Sequence, residues 1–156
     1  MGISFKRAGR EDARKIFQFI KTESSESAVL RRSLEEISGC TFFTAWLDGE
    51  LVGTTGYKIW SVDGPEIIGH VVKHPLRGQG IGSKLVKLCL ADLRAKRYEG
   101  SFALVVDPES FMKKGFYEIS KSSLNQKTRT DCQFCKKKIG DWNDPQCDEI
   151  AMWVKF

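Results

Sequence analysis

Residues 3–8 alternate apolar and polar side chains, the period of a half-buried strand. From Ala13 the apolar positions fall at helical spacing instead, at Ala13, Ile16, Phe17 and Ile20, after the polar lead Arg10-Glu11-Asp12. The serines and acids of residues 24–27 interrupt this helix and favour a new start, and Val29-Leu30, Leu34 and Ile37 carry a second helix to Gly39. Residues 41–47 are aromatic and β-branched, Asp48-Gly49 is a strong hairpin signal, and residues 51–60 resume the strand pattern. After a break at Asp63-Gly64-Pro65, a third strand over residues 66–72 gives three consecutive antiparallel strands.

That third strand runs into Lys73-His74-Pro75-Leu76-Arg77-Gly78-Gln79-Gly80-Ile81-Gly82-Ser83, and then into a helix whose buried stripe is Leu85, Val86, Leu88, Cys89 and Leu93, running to about Arg97. Phe102-Ala103-Leu104-Val105-Val106 is a continuous apolar run, as expected of a strand covered on both faces. A short helix over residues 108–114 ends at Gly115, and residues 116–119 and 150–154 read as the last two strands. The order is strand, two helices, three strands, helix, strand, helix, two strands, an α/β chain of one domain over residues 1–156.

The loop at residues 72–83 carries the most specific chemistry. Glycines at every second position leave backbone N–H groups uncovered, and the N-terminus of the next helix carries partial positive charge, so the turn suits a pyrophosphate. It lacks the Gly-Lys-Ser/Thr ending of a P-loop and the Gly-x-Gly-x-x-Gly of a dinucleotide fingerprint. Arg77-x-x-Gly80-x-Gly82, after a valine strand and a proline and before a helix, resembles the acetyl-coenzyme A loop of the GNAT (GCN5-related N-acetyltransferase) family. Phe111-Met112-Lys113-Lys114-Gly115-Phe116 is a weaker echo of that family's F-Y-x-x-x-G-F segment. The resemblance covers residues 1–120 in order and the final strand. It implies a central mixed, mostly antiparallel sheet of about seven strands with flanking helices, in which a parallel pair, residues 66–72 and 102–106, splays apart to admit the pantetheine arm.

The resemblance also implies an enzyme that moves the acetyl group of acetyl-CoA to a primary amine by direct attack. Arg77 and the backbone of Gly78, Gln79, Gly80, Ile81, Gly82 and Ser83 would hold the pyrophosphate, and Val71 and Val72 would offer backbone edges to the pantetheine. A family glutamate on the strand before the loop takes the amine proton, directly or through water, and Glu66 stands in that region. Period-two spacing puts Glu66 on one face with Ile68, His70 and Val72; a solvated strand start is the plain alternative. His70 is a rival base, though a lone histidine in an apolar run is more often a core residue, and His74 reads as a surface residue. Where the family places a tyrosine acid this chain has Phe111, so no proton donor is assigned.

Hydrophobic content of 41% and charged content of 29% are ordinary for a soluble globular protein. No apolar run reaches the roughly 18 residues of a membrane span, and Met1-Gly2-Ile3-Ser4-Phe5-Lys6-Arg7 has no signal-peptide core, so a cytoplasmic protein with no membrane partner is expected. The net charge of +5 is scattered apart from Lys136-Lys137-Lys138, and nucleic acid is not the expected partner.

Five cysteines without a secretion signal read as thiols or metal ligands rather than a disulfide framework. Cys40 and Cys89 fall in buried patterns. Cys132, Cys135 and Cys147 lie in the polar segment 121–149, which is too long for a simple hairpin loop. Three thiolates are one ligand short of a zinc tetrahedron, which Asp141, Asp144, Asp148 or Cys40 would have to complete, so free thiols or a redox pair are favoured over zinc and no metal site is assigned. The C-x-x-C and the tail Cys147-Asp148-Glu149-Ile150-Ala151-Met152 loosely resemble short acetyltransferases related to N-acetylglutamate synthases. A free amino acid such as glutamate is thus the first acceptor to consider. Arg31 and Arg32 would meet its carboxylate, although a solvated helix face is the slightly favoured reading of that pair. A CoA-binding regulatory module with weak or no catalysis is the alternative, motivated by Phe111, and a homodimer is compatible with either.

Overall fold

The computed structural model describes residues 2–23, 32–130 and 149–156, the side chains of 128–130 excepted. Seven strands are ordered β1-β2-β3-β4-β5-β7-β6, with β4 and β5 as the parallel pair, so the expected mixed, mostly antiparallel α/β sheet is borne out. The chain divides into two compact units, Met1–Lys58 with Ile67–Leu93, and Ile59–Glu66 with Arg94–Phe156.

In the first unit β1 (Ser4–Arg7) pairs antiparallel with β2 (Thr41–Leu47), from Ser4 opposite Trp46 to Arg7 opposite Phe43. The β2–β3 hairpin turns at Asp48 and Gly49, with φ of 50° and 78°; two left-handed residues give a turn whose twist matches its strands. β3 spans Glu50–Trp60. Helix α1 (Ala13–Glu23) lays Ala13, Ile16, Phe19 and Ile20 into a core with Ile37, Phe42, Ile68 and Val71. Helix α2 (Leu34–Ser38) is shorter than the sequence pattern predicts; Ser33 caps it by accepting from the Glu36 N–H at 3.1 Å, while Val29 and Leu30, with the serines of 24–27, lie outside the described residues. Helix α3 (Ile81–Ala95) buries Ile81, Leu85, Val86, Cys89 and Leu93, and a Cβ at Gly53 of β3 would stand 3.1 Å from Leu85.

β4 runs Gly64–Val72. Two features correct the sequence reading. The strand starts two residues early, because Pro65 tolerates a strand's first turn of pairing and its carbonyl accepts from Ser101 Oγ at 3.0 Å. The expected common face of Glu66, Ile68, His70 and Val72 does not exist. Gly69 sits at φ 58°, its carbonyl accepting from Thr54 Oγ1 at 2.8 Å, and this left-handed residue shifts the alternation by one. Ile68 and Val71 accordingly share one core, while His70 and Val72 both face Gly82 of α3.

In the second unit β5 (Gly100–Val105) pairs antiparallel with β7 (Ile150–Lys155), and β6 is only Tyr117–Glu118, with Tyr117 opposite Trp153. Phe102, opposite Glu66 in the parallel pairing, is fully buried with Trp60, Leu124 and Ala151. Helix α4 (Pro108–Met112) stops short of the predicted 114, and Gly115 follows at φ 94°. Within the segment read as uninterrupted polar chain, the structure places a helix, α5 (Asn125–Thr130), after a turn at Lys121–Ser123.

Candidate functional site

The loop after β4 is built from backbone outward. The Lys73 N–H donates to the Val52 carbonyl at 2.9 Å, a helical turn at His74–Leu76 follows, and the chain then passes Gly78 and Gly80 at φ 81° and 86°. Among the described residues, chain neighbours aside, no atom lies within 4 Å of where a Cβ would stand at either glycine, so the left-handed backbone selects glycine there. Ile81, buried to 4% exposure, anchors the start of α3, and its first intrahelical bond runs from the Lys84 N–H to the Gly80 carbonyl at 3.0 Å. The N–H groups of the first turn therefore have no partner inside the helix and lie under an exposed stretch, 77–80.

Gly82 is glycine for a different reason. A Cβ there would lie 2.9 Å from Cε1 and 3.2 Å from Nε2 of His70, and 3.4 Å from Val72. The absent side chain makes room for an imidazole. Thr55 Oγ1 donates its one proton to the Thr54 carbonyl at 2.7 Å, so it accepts from His70 Nδ1–H at 2.8 Å, which places a ring proton on Nδ1. Arg77 is held locally: Nε donates to the Val72 carbonyl at 2.8 Å and Nη2 reaches the Glu23 carbonyl at 3.5 Å. The guanidinium thus fastens the loop to the end of β4.

Glu66 is no solvated strand start, being 3% exposed. Its Oε1 accepts from Trp60 Nε1–H at 3.0 Å, and its Oε2 lies 3.1 Å from Lys127 Nζ. Lys127 is 1% exposed, with its ammonium 5.6 Å from the Trp60 ring. Its backbone N–H donates to Asp63 Oδ2 at 2.6 Å, and the neighbouring Gln126 Oε1 accepts from the Val62 N–H at 2.9 Å, so two consecutive residues of α5 are tied to the turn before β4. Sequence reasoning missed Lys127. An isolated lysine in a polar segment gives no periodic or motif signal.

Phe111 is buried edge-on against Phe116, with ring centroids 5.2 Å apart, which is a packing role; Tyr117 is 52% exposed. Arg32 corrects the solvated-face reading. It is 8% exposed, its Nη1 lies 3.2 Å from Glu36 Oε2, and Lys58 Nζ donates to the same oxygen at 2.7 Å. Arg31 lies outside the described residues, as do Cys132, Cys135 and Cys147 with Asp141, Asp144 and Asp148. Among the described residues no group of three or more His, Cys, Asp or Glu is placed to hold a metal ion, and no helix is long and apolar enough to cross a membrane. Cys40 is half-buried, whereas Cys89 is fully buried, and burial pushes its thiol pKa well up.

Residues 9–119 match the model of the Acetyltransferase (GNAT) family. The chain is 32% identical over 143 residues to an uncharacterized N-acetyltransferase, CT2212, of Chlorobaculum tepidum, covering 90% of this chain and 88% of that one. Its fold is similar to N-acetylglutamate synthase from Neisseria gonorrhoeae, complexed with coenzyme A and N-acetyl-glutamate, at a TM-score of 0.78 and 22% identity. That match covers 99% of this chain and 35% of the synthase, so the chain spans about a third of the synthase's length. It is also similar to Rv2747 from Mycobacterium tuberculosis in complex with CoA, at a TM-score of 0.73 and 22% identity, covering 98% and 99% of the two chains.

Proposed function

The chain belongs to the acetyltransferase (GNAT) family and is an N-acetyltransferase, and from that premise we propose that it acetylates the amine of a small acceptor bearing a carboxylate, a free amino acid such as glutamate being the first candidate. The single observation that carries the coenzyme half of this reading is the exposed left-handed turn at Gly78 and Gly80 running into the first turn of α3. The amides of residues 79–83, pointing away from the helix, suit the two phosphates of acetyl-CoA. Arg77 contributes its positive charge beside them while holding the loop, and the backbone of Val71 and Val72 suits the amides of the pantetheine arm. The solved synthase and Rv2747 both carry CoA, which supports the same ligand class here.

In the reaction the amine lone pair attacks the thioester carbonyl, the carbon–sulfur bond breaks, and the acetyl group passes to nitrogen without a covalent enzyme intermediate. The ammonium of an amino acid must first lose a proton, and Glu66 is the acceptor for it, directly or through water. The nitrogen sheds its second proton to solvent as the tetrahedral adduct collapses, and the leaving thiolate takes one from solvent, since Phe111 has none to give. The N-acetyl-glutamate bound in the solved synthase supports an acceptor with a carboxylate, and Arg32 and Lys58, which both contact Glu36, are the cations we assign to its side of the site.

Calorimetric titration with CoA and a transfer assay over amino acids and their carboxyl-less amines test this. Expected are CoA binding that is lost in Gly80→Val, and turnover restricted to acceptors with a carboxylate. Absence of CoA binding, or equal turnover of amines lacking the carboxylate, overturns the corresponding half. Glu66→Gln should lower kcat by about a hundredfold to ten-thousandfold with CoA affinity unchanged.

A further inference from the structure

We infer that Lys127 is a positioning residue for the acetyl transfer, acting through Glu66; the inference rests on the reading of Glu66 as the proton acceptor. Each oxygen of the Glu66 carboxylate carries a different donor, Trp60 Nε1–H on Oε1 and the Lys127 ammonium beside Oε2. The carboxylate can neither rotate nor slide without breaking one of them. Fixed orientation is what a proton acceptor needs, because transfer requires the acceptor oxygen within hydrogen-bond reach of the proton.

The alternative, that the pair serves stability, is weak on physical grounds. Lysine is almost never fully buried unless paired, and taking both ions out of water costs enough that a buried pair replaced by apolar side chains of similar volume is often no less stable. This pair is among the most buried of the charged side chains, at 1% and 3%. The ammonium is also anchored from its own backbone, since the Lys127 N–H donates to Asp63. Glu66 faces the Lys127 cation of α5, whose backbone N–H in turn donates to Asp63 of the turn before β4. Lys127 therefore does two things at once: it aims one carboxylate oxygen and it sets a cation beside a buried carboxylate.

The test compares Lys127→Met, Lys127→Gln and Lys127→Arg in the full chain, read by kcat against the KM for acetyl-CoA, with the melting temperature beside them. Lys127→Met should lower kcat at least about tenfold with the KM for acetyl-CoA unchanged. Lys127→Gln keeps a donor for Oε2 but no charge, and its kcat is read in the same way if the methionine variant does not fold. Lys127→Arg, which keeps both donor and charge, should recover most of the wild-type kcat. Wild-type kcat in both neutral variants overturns the inference while leaving Glu66 as the acceptor, provided Glu66→Gln is inactive. Full activity of Glu66→Gln instead overturns the acceptor reading itself, and this inference with it.

Discussion

Gly82 and Cys89 show how a single position in α3 is set by what lies opposite. Because a Cβ at residue 82 would press on His70 and Val72, Gly82→Ala should cost about 1–3 kcal/mol by overpacking, seen as a lower midpoint in urea unfolding. CoA affinity should fall with it, since the displaced imidazole and the amides of the first turn occupy the same few ångströms of backbone. Cys89 makes a prediction in pH. Burial raises its thiol pKa, with Asp92 adding to the effect and Arg7 opposing it. A folded state that holds the proton more tightly than the unfolded chain keeps the full benefit below the unfolded thiol pKa of about 8.5, and loses stability above it by up to about 1.4 kcal/mol per pH unit. Between about pH 8.5 and pH 10 the melting temperature of the wild type should therefore fall more steeply than that of Cys89→Ala. Parallel slopes would show that the thiol does not contribute.

At the scale of elements, what the sequence disclosed follows from period. A helix with a clean stripe, such as α3, was legible because one face is buried and the other is not, whereas β2, buried at four consecutive residues and irregular between Ala45 and Trp46, was legible from its aromatic and β-branched content. The loop between β4 and α3 was legible because its glycines sit at fixed spacing before a helix start. The shift at Gly69 was not, since a lone glycine in an apolar run marks neither a direction nor a size of irregularity. Helix α5 was hidden because, at six residues, it has too few turns for a stripe, and the Glu66–Lys127 pair because nothing local in either stretch points to the other. Arg32 was misread for a like reason: its partner Glu36 is itself held by Lys58 of β3, a residue distant in sequence. Helix α2 offers the cleanest element-level test. It has five residues and one side-chain cap, so Ser33→Ala should cost about 0.5–2 kcal/mol in chemical denaturation. The Arg32–Glu36 contact should loosen with it, raising the KM for a carboxylate-bearing acceptor more than the KM for acetyl-CoA.

For the whole molecule, the net charge of +5 and the exposed turn at Gly78 and Gly80, which we propose for the coenzyme's phosphates, make coenzyme capture an electrostatic event. The Kd for CoA should rise severalfold as sodium chloride goes from about 20 mM to about 500 mM, because exposed charges more than a few ångströms apart are screened over that range. A salt-independent Kd would mean that apolar contacts dominate. CoA should also raise the melting temperature, since at a hundred times its Kd a ligand of the folded state adds about 2.7 kcal/mol.

The division of the chain into Met1–Lys58 with Ile67–Leu93, and Ile59–Glu66 with Arg94–Phe156, has a practical corollary for anyone dissecting this enzyme. Each half borrows an inner stretch of polypeptide from between the pieces of the other, so no single scission of the gene yields two self-sufficient fragments. A cut near residue 58 leaves 1–58 without 67–93, and a cut near residue 93 leaves 94–156 without 59–66, so those two fragments should not fold on their own, which circular dichroism of each would show.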